Sequence, residues 1–197
     1  IDIIEDIVNS GKSLLILGGG TAGTMIANKV RKRLPHWTVT VVDKDDVHDY
    51  QPGYLFIPFG INTPEQIRKT KRKFINDHAN LIFGEIDLVA PEAKTVSLVD
   101  GRSLGYDYLV IATGTTPRPD QTPGMLGDEW HKSVGEFYTY EGAIALRDQA
   151  ALWEGGRLVI HVTEMPIKCP VAPLEFTFLA EDWLSQHGLR DKTEIVY

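Results

Sequence analysis

An α/β fold with parallel sheets follows from three observations. Short apolar runs of strand length, SLLIL (Ser13–Leu17), TVTVVD (Thr38–Asp43) and YDYLVIATG (residues 106–114), lack the polar alternation of a half-wet sheet, so they read as strands covered on both faces. A glycine-rich turn, GGGTAG, joins the first run to a stretch of helical spacing that leads to the second. Strand, helix and strand then make one βαβ unit of about 30 residues. Past residues 117–124 the same alternation begins again, so a second α/β unit is opened.

The elements follow in order. Ala22, Met25, Ile26, Val30 and Leu34 share one face of the first helix. Residues 49–60, rich in Pro, Gly and aromatics, read as a loop. The basic run RKTKRK (residues 68–73) reads as a solvated helix face. Residues 81–86 and 95–100 read as strands, with Asp100-Gly101 as the hairpin turn. Three prolines within residues 117–124 mark a boundary, which divides the chain into residues 1–118 and 119–197. In the second part, residues 139–153 read as a helix stopped by Gly155-Gly156, and residues 157–162 as a strand. Residues 173–187 follow as a helix with proline in its first turn and Gly188 after its end. TEIVY (residues 193–197) starts another strand. The second unit is thus incomplete, and a longer protein is expected.

Composition excludes several classes. The 197 residues are 43% hydrophobic, enough for an ordinary core, and carry a net charge of −7. That balance argues against a nucleic-acid partner or broad binding to anionic surfaces. No apolar run approaches the roughly 20 residues that span a bilayer. The first residues, IDIIEDIVNSGK, are acidic and mixed, unlike a signal peptide, and they begin at Ile rather than Met, as a trimmed chain would. A single cysteine, Cys169, excludes a disulfide within these residues. No metal site is assigned.

Gly18, Gly20 and Gly23 form G-x-G-x-x-G between a strand and a helix. The first glycine allows a tight turn, the second lets backbone approach a pyrophosphate, and the third lets helix and strand pack closely. Thr21 and Ala22 open the helix on which the pyrophosphate would rest. Asp43 ends the next strand 20 residues after Gly23, where a carboxylate can accept from a ribose diol and would repel a 2′-phosphate. These features make residues 1–118 a Rossmann-like dinucleotide-binding domain. They do not separate FAD from NAD.

At the corresponding junction of the second unit, RLVIHV runs into Thr163-Glu164-Met165-Pro166-Ile167-Lys168-Cys169-Pro170. No glycine is present to admit a pyrophosphate, and Pro166 and Pro170 lack N–H donors. The topology of a nicotinamide domain remains while its phosphate chemistry is lost. A thiol stands at the carboxyl end of the strand, where ligands of α/β sheets gather. The helix N-terminus near Pro173 and Lys168 are placed to favour a thiolate. Glu175, in that helix's first turn, is a candidate proton acceptor, with interaction with the helix dipole as the plainer alternative.

The strand ending in Ala-Thr-Gly resembles the second fingerprint of two-dinucleotide flavoproteins, which implies that Thr113 and Gly114 bring backbone to the cofactor and that FAD occupies the first site. LLILGGGTAG, YDYLVIATGTTPRP, EFYTYEGA and above all KCPVAPLEF together resemble the sulfide:quinone oxidoreductase family, close to flavocytochrome c sulfide dehydrogenase. The resemblance covers nearly the whole chain, as the amino-terminal half of a longer protein. It implies a two-dinucleotide flavoprotein fold: an FAD-binding domain followed by a second, incomplete Rossmann-like domain. Cys169 would be one of two redox cysteines and Glu175 the glutamate six residues beyond. Gly18, Gly20, Thr21, Ala22, Gly23, Asp43, Lys44, Ile86, Thr113 and Gly114 would line FAD, with Pro52 near the flavin and quinone side. His131 falls where some members have a histidine of proposed proton-relay use; a surface histidine is the alternative.

The implied reaction oxidises sulfide and passes two electrons to a quinone. Hydrosulfide would open a disulfide between Cys169 and a second cysteine, leaving a persulfide on one of them. Many members have a further cysteine before this loop, sometimes attached to flavin. It is missing here, so FAD is expected to be non-covalent. The second cysteine and a peripheral membrane attachment are expected beyond residue 197, and a homo-oligomer is compatible with the family. Three rivals remain. A type II NADH:quinone oxidoreductase needs glycines after RLVIHV. A coenzyme A-disulfide type reductase needs a cysteine near Pro52. A non-catalytic FAD-binding subunit would not need the thiol.

Overall fold

Strand β1 (Ser13–Leu17) forms the spine of a parallel sheet because its side chains are apolar on both faces. The structure, a computed structural model, describes residues 11–197, so the reading of the first ten as no signal peptide lies outside the described residues. Helix α1 (Thr21–Arg33) leads to β2 (Thr38–Asp43), parallel to β1. With β5 (Asn80–Phe83) and β9 (Tyr108–Ile111) the order is β5-β2-β1-β9. Leu14 and Ile16 pack on one face with Ala27 of α1, Trp37, Val39 and Val41. Leu15 and Leu17 pack on the other with Val42, Val96 and Leu98. Two-sided burial is what the unbroken apolar runs predict.

The second face is covered by an antiparallel sheet of β6 (Ile86–Ala90), β7 (Thr95–Leu98) and β8 (Ser103–Gly105). The expected single strand 81–86 is therefore two: β5 ends at Phe83 and β6 starts a new sheet at Ile86. The turn at Asp100-Gly101 is as expected, with Gly101 at φ 90. On α1, Met25 is 51% exposed while Gly23 and Thr24 are buried. Small residues face the sheet there, because the helix starts too close to the loop before it to admit a long side chain.

The basic run is not a helix face. Arg68–Thr70 is strand β4, antiparallel to β3 (Val47–Asp49), and Lys71–Lys73 is a 3-10 turn. Three of its bases meet acids of the preceding segment: Arg68 bonds Asp49 through two nitrogens at 2.8 and 2.7 Å, Arg72 pairs with Asp46, and Lys71 is buried beside Asp43 and Asp45. The acids, not solvent, set the course of this segment.

Two packed units result. One comprises the residues up to Asp49 and Arg68–Gly114; the other comprises Tyr50–Ile67 and Thr115–Tyr197. The cut placed by sequence between 118 and 119 takes no account of the excursion 50–67. That excursion is ordered, with a 3-10 helix at Gln51–Phe56 and a short α2 (Pro64–Ile67), rather than loop throughout. Tyr54, Ile57 and Ile67 bury against Ala143 of α3 (Tyr140–Ala151). Leu55 buries with Phe176 and Ala180 of α4 (Ala172–Gln186). Helix α3 is capped by Thr139, whose hydroxyl accepts from Gly142 N–H at 3.0 Å. Strand β10 (Gly156–Val159), shorter than the predicted 157–162, lies parallel to β11 (Thr193–Val196) with α4 between them in sequence.

A Cβ on Gly23 would lie 1.8 Å from the Gly18 carbonyl oxygen. Gly23→Ala is therefore expected to destabilise the protein by about 1–3 kcal/mol in chemical denaturation, the usual cost of overpacking.

Candidate functional site

The turn after β1 is shaped by three glycines doing different work. Gly18 has φ 97, and a Cβ there would meet Ala112 O at 2.3 Å, so this position keeps the turn against the end of β9. Gly23 holds α1 against the same turn. At Gly20 an added Cβ would meet nothing within 4 Å. That glycine leaves open space in front of a helix whose first amides no preceding carbonyl of the helix can reach. Gly20 caps α1 without a side-chain hydrogen bond, and the first turn holds no acid. Exposed Thr21 and Ala22 complete an N-terminus suited to an anion. The Gly19 N–H is not among the free donors, since it donates to Asp43 Oδ2 at 2.6 Å.

Asp43 is held at both oxygens. Oδ2 takes the Gly19 amide, and Oδ1 takes the Lys44 N–H at 2.7 Å. Each carboxylate oxygen accepts more than one hydrogen bond, so capacity for two ribose hydroxyls remains. Lys71 Nζ lies 3.4 Å from Oδ2. Asp45 sits below the ordinary carboxylate range: burial pushes it up, but the Val47 N–H and the Lys71 ammonium outweigh burial.

Thr113 and Gly114, both exposed, follow β9, and the Thr113 backbone is close enough to bar a Cβ on Gly18 at 2.9 Å. Gly114 has φ 74, a conformation glycine adopts without strain. The two fingerprints are thus one continuous backbone surface. Lys44 is exposed beside Asp43. Ile86 differs from the expectation in one respect: its side chain packs on the second core cluster, which leaves its backbone as what it can offer a ligand. The cradle fits a dinucleotide: an uncapped helix start, an open glycine and an oriented carboxylate lie together.

The other candidate residues belong to the second unit. Cys169 is exposed and has φ 51, rare for a residue with a Cβ and costing on the order of 1 kcal/mol. This turn aims the Cys169 carbonyl at α4, where it accepts the Ala172 N–H at 3.0 Å. Pro173 has no N–H, and the amides of Leu174 and Glu175 both donate to Val171 O. The start of α4 is therefore closed by its own chain and offers little to a phosphate.

Lys168 Nζ donates to Gln51 Oε1, which ties the cysteine loop to the turn that carries exposed Pro52. Burial pushes the Lys168 ammonium down, with Cys169 acting in the opposite sense. Tyr138 donates to the Cys169 carbonyl at 3.4 Å, and its hydroxyl is pushed up to about 12, first by burial and then by Cys169. Glu175 is exposed and makes no ion pair among the described residues. His131 stacks on Trp130 at 4.7 Å, and its Nε2, 3.9 Å from Glu136 Oε1, has no hydrogen-bond partner among the described residues. Sequence reasoning gives none of Lys71, Gln51 and Tyr138 a role of its own, although Tyr138 lies within EFYTYEGA and Lys71 within RKTKRK. Only the interleaving of acids at residues 43–49 with bases at residues 68–73 hinted at Lys71.

The family model for the pyridine nucleotide-disulphide oxidoreductases matches residues 12–160. The mitochondrial sulfide:quinone oxidoreductase of Dictyostelium discoideum is 27% identical over 184 residues, 92% of this chain and 41% of that protein. The sulfide-quinone reductase of Aquifex aeolicus is 24% identical over 195 residues, 94% of this chain and 42% of that protein. The crystal structure of the sulfide:quinone oxidoreductase from Aquifex aeolicus matches with a TM-score of 0.75 at 23% identity, over 93% of this chain and 42% of that one, a likeness of fold. The chain spans about two fifths of the length of these relatives.

Gly20→Ala is expected to leave stability within about 0.5 kcal/mol, since the site is open and exposed, yet to weaken FAD binding in a fluorescence titration. Asp45 gives a pH dependence. Its folded pKa is depressed, so its contribution is present above its ordinary value of 3.8 and lost as pH falls through the lower folded value. Asp45→Asn is expected to flatten the acid limb of a plot of melting temperature against pH.

Proposed function

The chain belongs to the pyridine nucleotide-disulphide oxidoreductase family, and on that footing we propose that it is the flavin-and-thiol part of an enzyme that oxidises sulfide and reduces a quinone. The family is one of FAD-binding flavoproteins. Gly18, Gly20, Thr21, Ala22, Gly23, Asp43, Lys44, Thr113, Gly114 and the Ile86 backbone would hold FAD without a covalent bond, and bound FAD supplies reversible acceptance of two electrons. Residues 1–118 would serve mainly the dinucleotide and 119–197 the thiol.

One observation carries the reading: at the second strand–helix junction the first amides of α4 are absent or taken by the chain's own carbonyls, and an exposed cysteine stands in front of them. A nicotinamide dinucleotide finds no cradle there. A thiol so placed is suited to sulfur exchange. Hydrosulfide would attack a disulfide formed by Cys169 and a second cysteine. A new S–S bond forms, the old one breaks, and the electron pair leaves on the released thiolate. Glu175, exposed in the first turn, would accept the proton, while Tyr138 and the Lys168–Gln51 bond hold the loop. The names of the relatives support sulfide and quinone as the substrates. Quinones dissolve in membranes, so this reading brings peripheral membrane attachment with it; none of the described helices is long and apolar enough to cross one.

In the full-length protein under anaerobic conditions, sulfide is expected to bleach the flavin, and Cys169→Ser is expected to slow bleaching at least roughly a hundredfold while retaining FAD. Unchanged bleaching in the variant would remove the thiol from the reaction and favour a merely flavin-binding role for this unit.

A further inference from the structure

The buried Lys71 does work that the dinucleotide motif leaves unassigned. It is 3% exposed, in a run whose other bases are mostly solvated. An ammonium has three donors. Here Nζ donates to Asp45 O at 2.8 Å, to Asp45 Oδ1 at 3.1 Å and to Val47 O. These acceptors saturate it and set its position. The charge then lies 3.4 Å from Asp43 Oδ2, the atom that also receives the Gly19 amide. The methylenes of Lys71 pass under Gly19, where a Cβ would meet Cδ at 3.1 Å and Cε at 3.3 Å. The Lys71 backbone is fixed as well: its N–H donates to Asp46 O, and its carbonyl accepts from Phe74 and Ile75.

We propose that Lys71 is a positioning residue for the dinucleotide: it holds the Asp43 carboxylate oriented toward the ribose diol before the ligand arrives. This rests on the reading of the glycine turn as the FAD cradle. Burying an ammonium is costly unless its hydrogen bonds are met and an anion is near. The chain meets both conditions and leaves the ligand-facing capacity of Asp43 open. A carboxylate held in place in advance costs less to order when the ribose binds. Because Lys71 is saturated and covered, it cannot turn outward to welcome a 2′-phosphate. The site therefore takes a dinucleotide with a free ribose diol.

The test uses full-length apo-protein, titrated calorimetrically with FAD, with ADP and with 2′,3′-dideoxyadenosine diphosphate, which lacks the diol. Lys71→Met is expected to weaken FAD and ADP roughly tenfold or more, the range typical of lost supporting contacts, with a clearly smaller loss for the dideoxy analogue. No loss for FAD and ADP, or an equal loss for ADP and its dideoxy analogue, overturns the proposal, because a general structural role would not distinguish them. Should Lys71→Met fail to fold, Asp45→Ala removes the side-chain acceptor of Lys71 and leaves Asp43 in place. It is expected to show a smaller loss with the same dependence on the diol, and unchanged binding of FAD and ADP overturns the proposal. Wild-type protein that binds neither FAD nor ADP overturns the cradle reading and this role with it; normal wild-type binding with an unaffected variant overturns this role alone.

Discussion

The start of a helix leaves amide groups that the helix itself cannot satisfy, and what the chain sets before them decides the chemistry of each unit. Before α1 it sets glycine. Gly20 caps the helix without a side chain, so nothing of its own stands in front of the amides. Before α4 it sets proline and cysteine. There the Cys169 and Val171 carbonyls take the first amides, and Pro173 contributes none. One junction can receive an anion; the other has satisfied itself and presents sulfur. The Cys169 backbone at φ 51 belongs to that arrangement, since the turn aims the carbonyl at the helix and leaves the side chain exposed. Strain of this kind tends to persist where surrounding contacts enforce it, and here Lys168 and Tyr138 bind the loop on both sides.

Charge is placed with similar economy. The segment after β2 carries Asp43, Asp45, Asp46 and Asp49, which would repel one another at the edge of a ligand site. The bases of residues 68–73 answer them pairwise. The exposed pairs add little to stability. Lys71 differs because it is covered: its charge acts on Asp43 through low-dielectric surroundings, where electrostatic effects are stronger. A run that looks like a solvated patch thus holds the buried counterpart of Asp43 and Asp45.

Where local pattern decides structure, the sequence was legible. β1, β2, the start of α1 and the hairpin at Gly101 all rest on period or glycine chemistry, and the structure has them where those rules put them. The fold class and the family were readable for the same reason. Residues 68–73 were misread because their conformation is set by acids about 25 positions away, which no local rule detects. Residues 81–86 read as one strand only if Gly84-Glu85 is taken as part of it; those two residues break the apolar run where the chain leaves one sheet for the other. Met25 was placed on the packed face by helical period alone, while the close approach of α1 to Gly18 admits only small side chains. Tyr138 and Gln51 meet the cysteine loop through geometry, and local pattern assigns neither a role.

The central claim is that sulfur has replaced phosphate binding at the second strand–helix junction. The most direct measurement is the visible absorbance of the oxidised, FAD-loaded full-length protein when NADH or NADPH is added without oxygen. The account predicts no bleaching on the timescale at which sulfide acts. Rapid bleaching by either nicotinamide, with no sulfide present, would contradict it.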